Sequence, residues 1–96
     1  MRRAYRLDSC HQAIVAEFTA RGATVLSLAG VGSGCPDALV GYRQQARLVE
    51  FKDGTRSPSK RKLTPDQVDW MSWWRGSPVL VINSVEDVPA VLEAMT

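Results

Sequence analysis

Apolar and polar residues follow three different rhythms along this chain, and each rhythm specifies an element. Ile14, Val15 and Phe18 fall on one face of a helix at i, i+1 and i+4, with Asp8 or Ser9 placed to cap it and Gly22 to stop it. Ala23 to Leu28 is rich in β-branched and aliphatic side chains and reads as a strand. Two short apolar runs follow, Asp37 to Tyr42 and Arg47 to Lys52. The spacer between them, Arg43-Gln44-Gln45-Ala46, suits a β-hairpin. Thr64-Pro65-Asp66-Gln67 is a helix start with a Thr cap, Pro at the first helical position and Gln three residues on to reach back to the cap. That helix should run to about Trp74. Val79-Leu80-Val81-Ile82 is an unbroken aliphatic run of strand length, suited to a strand covered on both faces. Ser84 to Met95 closes the chain as a helix, with Pro89 tolerated near its first turns. The order αβββαβα predicts an α/β fold, a mixed sheet flanked by helices.

Two segments break the rhythm. Gly30-Val31-Gly32-Ser33-Gly34 is a flexible crossing or turn, and Thr55 to Lys62 is a polar, basic, proline-bearing loop. The glycine run departs from a dinucleotide cradle, because Cys35 and Pro36 follow it instead of a helix, and no Gly-Lys-Ser/Thr closes it as a phosphate loop. No nucleotide cofactor is expected. With 96 residues, 45% of them hydrophobic, the chain is expected to form one domain over residues 1–96, with too much apolar content for a disordered tail. No apolar run approaches the ~18 residues of a membrane span. Met1-Arg2-Arg3 is not followed by the apolar core of a secretory signal, which points to the cytoplasm. Cys10 and Cys35 lack the partners of a structural zinc site, and in a reducing compartment they are expected to be plain thiols.

The overall charge of +2 conceals an uneven distribution, for Arg43 to Lys62 carries seven basic residues and only two acids. Such a segment attracts polyanions, although a solvated loop that keeps the protein soluble would look the same. The chemistry could lie beside it. Successive side chains of a strand alternate faces, so Glu50 and Lys52 project to one side while Phe51 enters the core. Counting inward from the hairpin turn brings Asp37 beside Glu50, which would place two carboxylates and an ammonium in one patch. Paired carboxylates repel each other and resist desolvation, and Mg²⁺ suits them as a hard ion held by one or two carboxylates with waters and phosphate oxygens. Glu50 and Lys52 as ordinary polar residues on the wet face of a strand is the plain alternative.

Pro36-Asp37 followed by Glu50-Phe51-Lys52 resembles the signature of the PD-(D/E)XK nucleases. More narrowly, three blocks in order resemble the stand-alone VRR-NUC domains: Gly34-Cys35-Pro36-Asp37-Ala38-Leu39-Val40-Gly41, Val49-Glu50-Phe51-Lys52-Asp53-Gly54, and Lys62-Leu63-Thr64-Pro65-Asp66-Gln67. The resemblance implies a restriction-endonuclease-like αβββαβ core. It makes Asp37, Glu50 and the Phe51 carbonyl ligands of Mg²⁺ or Mn²⁺, Lys52 the catalytic lysine, and Gln67 a support for the site or the phosphate. An acid in the first helix is part of the pattern, and Glu17 is the acid available inside that helix. Arg56, Lys60, Arg61 and Lys62 would then hold a DNA backbone across the metal site. The implied activity is structure-dependent cleavage of branched DNA, Holliday junctions above all, by a homodimer in a bacterial cytoplasm or, if phage-encoded, in that of the host.

Trp70, Trp73 and Trp74 share the helix that starts at Pro65. Trp70 and Trp74, at i and i+4, lie on one face, with Trp73 about 60° from Trp70. Packing against Val79 to Ile82 would use at least one of them, and the others suit a dimer seam or a base-stacking surface. Two rival functions use the same features: a DNA-binding module that does not cut, and an interaction subunit that docks through the tryptophan helix.

Overall fold

The order of elements along the chain follows the hydrophobic rhythm closely. The structure is a computed structural model that describes residues 9–95. Helix α1 (Ser9–Ala20) is followed by strands β1 (Thr24–Ser27), β2 (Ala38–Tyr42) and β3 (Gln45–Phe51), helix α2 (Pro65–Trp73), strand β4 (Leu80–Ile82) and helix α3 (Val88–Glu93). Short 3₁₀ turns at Pro58–Lys60 and Val85–Asp87 precede α2 and α3. The four strands form one sheet in the order β1-β2-β3-β4, antiparallel at the first two junctions and parallel at the third. This is the mixed α/β architecture read from the sequence. Asp8, one of the two caps proposed for the first helix, lies outside the described residues, and Ser9 is that helix's first residue.

The two faces of the sheet are used differently. Ala38 and Val40 on β2, with Val49 and Phe51 on β3, join Ile14 and Phe18 of α1 and Val88, Val91 and Leu92 of α3 in one apolar core. Burying a side chain such as Phe18 is worth about 1.5–3 kcal/mol, which holds α1 to this face. Strand alternation turns Leu39, Leu48 and Glu50 to the opposite face, the side taken by α2.

Three expectations need correction. The hairpin turn is tighter than the four-residue spacer suggests: Arg43 and Gln44 alone make it, and Tyr42 pairs with Gln45. Both turn residues have positive φ, 50° and 65°, the backbone of a type I′ turn, in which twist favours a two-residue connection. Among the described residues β4 is an edge strand paired only to β3, and Val81 is 43% exposed, so the aliphatic run is covered on one face rather than two. None of the tryptophans is a buried core residue: α2 contributes no buried residue, Trp73 is 67% and Trp74 36% exposed, and the three rings meet one another.

Candidate active site

The hairpin register brings the acids together. Ala38 pairs with Val49, so Asp37, one step outside β2, lies opposite Glu50. Asp37 is fastened across the strands, since its Oδ2 accepts the Phe51 N–H at 2.8 Å while its own carbonyl accepts from Leu28 N at 2.8 Å. Among the described residues Glu50 is the charged side chain that is buried, 2% exposed. Its Oε2 accepts from Gln67 Nε2 at 2.7 Å and lies 3.4 Å from Lys52 Nζ, whereas Oε1 is buried and has no hydrogen-bond partner among the described residues. Burial first, and the negative charge of Asp37 second, push the Glu50 carboxyl up to about 7 against the opposing pull of Lys52.

One glutamine ties this group to a helix end. Gln67 Oε1 accepts from Lys52 Nζ at 2.8 Å and from Thr64 N at 2.9 Å, and Thr64 Oγ1 accepts from Gln67 N at 3.2 Å. The capping box that starts α2 is therefore also the clamp that fixes the amine of Lys52 beside the carboxylate of Glu50. Lys52 lies just past β3 and continues its line, with its N–H on the carbonyl of Ile82 at 2.8 Å.

The donor set fits a hard divalent cation. A buried carboxylate oxygen without a partner is costly, and a second carboxylate beside it raises the cost, whereas a cation between them would satisfy both. Among the described residues no group of three or more His, Cys, Asp and Glu side chains is assembled to hold a metal. That leaves an incomplete protein ligand shell of the kind Mg²⁺ and Mn²⁺ accept, their other positions falling to water and substrate oxygens.

The glycine-rich loop delivers Asp37 to this place by close approach. Gly34 has φ +85°, and a Cβ there would lie 2.2 Å from the carbonyl oxygen of Asp66 in the first turn of α2. Gly32 has nearly the same backbone, φ +76°, but open space around it. Gly32→Ala is expected to cost only the left-handed backbone penalty, about 1–2 kcal/mol. Gly34→Ala should cost more and also slow cleavage, because α2 must move off the loop. Equal melting temperatures for the two variants would show that this contact does not set the spacing. Next to it, burial and then the charges of Glu50 and Asp37 push the Cys35 thiol up, away from reactive thiolate. Cys10 and Cys35 are not joined in a disulfide.

The other residues picked out from the sequence are placed less uniformly. Glu17 is not brought to the acids: its Oε2 pairs with Arg21 Nε at 2.6 Å, one turn along α1. Arg56, Lys60 and Lys62 are exposed on the loop between β3 and α2. Arg61 is half-buried, its buried Nε has no partner among the described residues, and it lines a cavity of about 630 Å³ with Cys10, Asp53 and Asn83. Of the four basic residues expected to face DNA, it is the one set partly into the fold. The start of α1, to which the sequence reading gave no part in the site, packs behind it. His11 meets the Phe51 ring edge-on at 5.2 Å, and the Cys10 thiol lies 3.8 Å from the Lys52 carbonyl. Only tertiary packing reveals these contacts. Thr64, by contrast, was marked by the capping-box spacing.

No family profile and no curated protein matches the sequence. A solved structure described as a VRR_NUC domain superposes on the chain with a TM-score of 0.62 and 30% sequence identity, covering 91% of this chain and 94% of that one. No helix of the described residues is long and apolar enough to cross a membrane. With its mixed sheet and the site raised on β2, β3 and α2, this chain belongs to the VRR-NUC family and is a nuclease domain acting on DNA.

Proposed function

We propose that the protein is a Mg²⁺- or Mn²⁺-dependent endonuclease that hydrolyses phosphodiester bonds in branched DNA, Holliday junctions foremost, and that it works as a homodimer. The observation that carries the metal dependence is the buried Glu50 carboxylate, one oxygen without a partner among the described residues, set beside Asp37. Asp37, Glu50 and the Phe51 carbonyl are the proposed ligands. Bound there, the ion supplies positive charge that polarises a phosphodiester and acidifies water. Lys52 Nζ, held by Gln67, is aimed to orient the attacking water and to stabilise negative charge growing on the phosphate oxygens. Gln67 acts as a positioning residue, fixing Lys52 and Glu50 in one geometry.

The test is direct. Four-way, fork, flap and linear substrates are incubated with the protein in Mg²⁺, Mn²⁺ and EDTA. Products should appear with either ion, on branched substrates in preference to linear ones, and vanish in EDTA. DNA retention without product in every condition would make the protein a binding module instead.

Arg56, Lys60 and Lys62, exposed on one loop between the catalytic strand and α2, are the proposed backbone contacts. Phosphate neutralisation releases counterions, so replacing all three with Ala should weaken binding and flatten its dependence on salt by up to ~0.9 per lost contact. An unchanged salt slope would remove the loop from the interface. A homodimer would place two active sites on the symmetric strands of a junction, and the exposed edge strand β4 favours self-association. Light scattering across a concentration series should give twice the chain mass.

A further inference from the structure

The helix that presents Gln67 to the acids has a second face that the proposed chemistry leaves unused. Asp66, Asp69, Trp70 and Trp73 recur at i, i+3, i+4 and i+7, and with Ser33 of the glycine-rich loop they line a cavity of about 470 Å³. Its aromatic wall is braced. Trp70 stacks on Trp74 at 5.3 Å and 19°, and Trp74 is held by its Nε1–H donating to the Ser77 carbonyl at 2.9 Å. Gly76 lies so close under that indole that a Cβ would come within 2.4 Å of the ring. Trp73 meets Trp70 edge-on at 5.7 Å and 68°, yet is 67% exposed. A fixed indole wall with a large ring facing water is a surface that something flat covers.

The lining chooses among candidates. Among the described residues it contains two carboxylates and a hydroxyl but no cation, so it repels a phosphate. What fits is a neutral aromatic ring with hydrogen-bond donors on its edge: the ring faces the indoles, and exocyclic amino groups donate to carboxylate oxygens. In a protein that acts on DNA, this is a nucleobase. Paired bases have their faces covered by neighbours, so only an unpaired base offers both ring face and edge. Placement agrees with this. Trp73 lies six residues beyond Gln67, about 9 Å along the helix axis, or roughly three nucleotide steps at 3.4 Å.

We infer that the α2 face formed by Asp66, Asp69, Trp70 and Trp73, with Ser33, is a pocket for an unpaired, amino-bearing base of the DNA substrate, close to the phosphate to be cut. The inference rests on the nuclease reading and extends it, giving branch recognition a residue-level cause: a branch point supplies the unpaired base, and an intact duplex does not.

The test uses a DNA fork with a single unpaired 2-aminopurine at the branch, titrated with the full chain in EDTA, and a blunt duplex of the same length. Stacking quenches the probe, so its emission should fall at least about twofold with the wild-type protein. Trp73→Ala should abolish that quenching and weaken fork binding by roughly 5- to 100-fold while leaving duplex binding unchanged. Trp73→Phe should retain much of both, and a circular-dichroism melt confirms that the variants fold. Asp69→Asn should narrow the preference for unpaired cytosine over unpaired thymine. Unchanged emission with the wild-type protein, or equal losses on fork and duplex, would overturn the inference. So would conversion of a dimer to monomer by Trp73→Ala without any change in fork affinity, which would assign this face to a second copy of the chain. Because the readout needs neither metal nor cleavage, it stands or falls apart from the Mg²⁺ assay, which judges the nuclease reading.

Discussion

Replacing Lys52 with Met is expected to lower Mg²⁺-dependent cleavage by about 10²–10⁴-fold while leaving DNA affinity almost unchanged. Lys52 is one amine among many basic groups, so its share of long-range attraction to DNA is small. Its position is what distinguishes it: Nζ is held between Gln67 Oε1 at 2.8 Å and Glu50 Oε2 at 3.4 Å, and the side chain is 13% exposed. Charge delivered there costs no reorganisation when the phosphate becomes more negative. Met keeps most of the apolar stem and so removes the ammonium with little change in packing. Lys52→Arg should not restore the rate, because a planar guanidinium cannot take the place of a compact amine in that clamp and does not give up its proton. Asp37→Ala should abolish cutting as well, through loss of a ligand and of the bond to Phe51 N. Single-turnover cleavage and a filter-binding titration on the same preparation separate the two effects. Lost binding with retained chemistry in either variant would reverse the assignment of roles.

Much of this site was legible because it is built from short-range rules. Hairpin pairing requires only that residues equidistant from the turn face each other; the two-residue turn carries Asp37 to Glu50, whereas a four-residue turn would have set it against Lys52, two residues along on the same face. The Thr64–Gln67 capping box was readable from spacing alone, and the same box turned out to clamp Lys52. What escaped the sequence depends on partners distant along the chain. An aliphatic run looks the same in a central strand and in an edge strand, so Val81 gave no hint of its exposure. A helical wheel places Glu17 near the core side of α1 but cannot say that Arg21, one turn on, takes its carboxylate. Positive φ at Arg43 and Gln44 had no Gly or Asn to announce it. The glycine run was readable as a flexible crossing, yet the carbonyl that Gly34 approaches, that of Asp66, lies on an element that folds against it from thirty-two residues away.

Without metal, the protein should be more stable near pH 5 than near pH 8, which is the opposite of the usual behaviour of a paired carboxylate. The Glu50 carboxyl has a folded value of about 7 against an ordinary 4.5, so between those values the folded chain holds a proton that the unfolded chain has released. The stabilisation is complete below 4.5 and is lost as pH rises through 7. At about 1.36 kcal/mol per pH unit the difference is on the order of 3 kcal/mol, a large share of the stability of a small domain. Glu50→Gln removes the titration, since a neutral amide can accept from Gln67 through its oxygen and donate to Asp37 through its nitrogen. Thermal melts in EDTA should therefore show a flat pH profile for the variant and a higher midpoint than wild type near pH 8, by about 4–8 °C per kcal/mol recovered. Adding Mg²⁺ near pH 8 should raise the wild-type midpoint and leave the variant's unmoved, because a cation relieves only a charge that is present. A wild-type profile as flat as the variant's would show that Glu50 is not held against its own charge. An acid retained only for structure would lose stability on neutralisation. One retained for a cation should gain stability and lose activity in the same substitution, so these opposite signs are the measurement that decides what Glu50 is for.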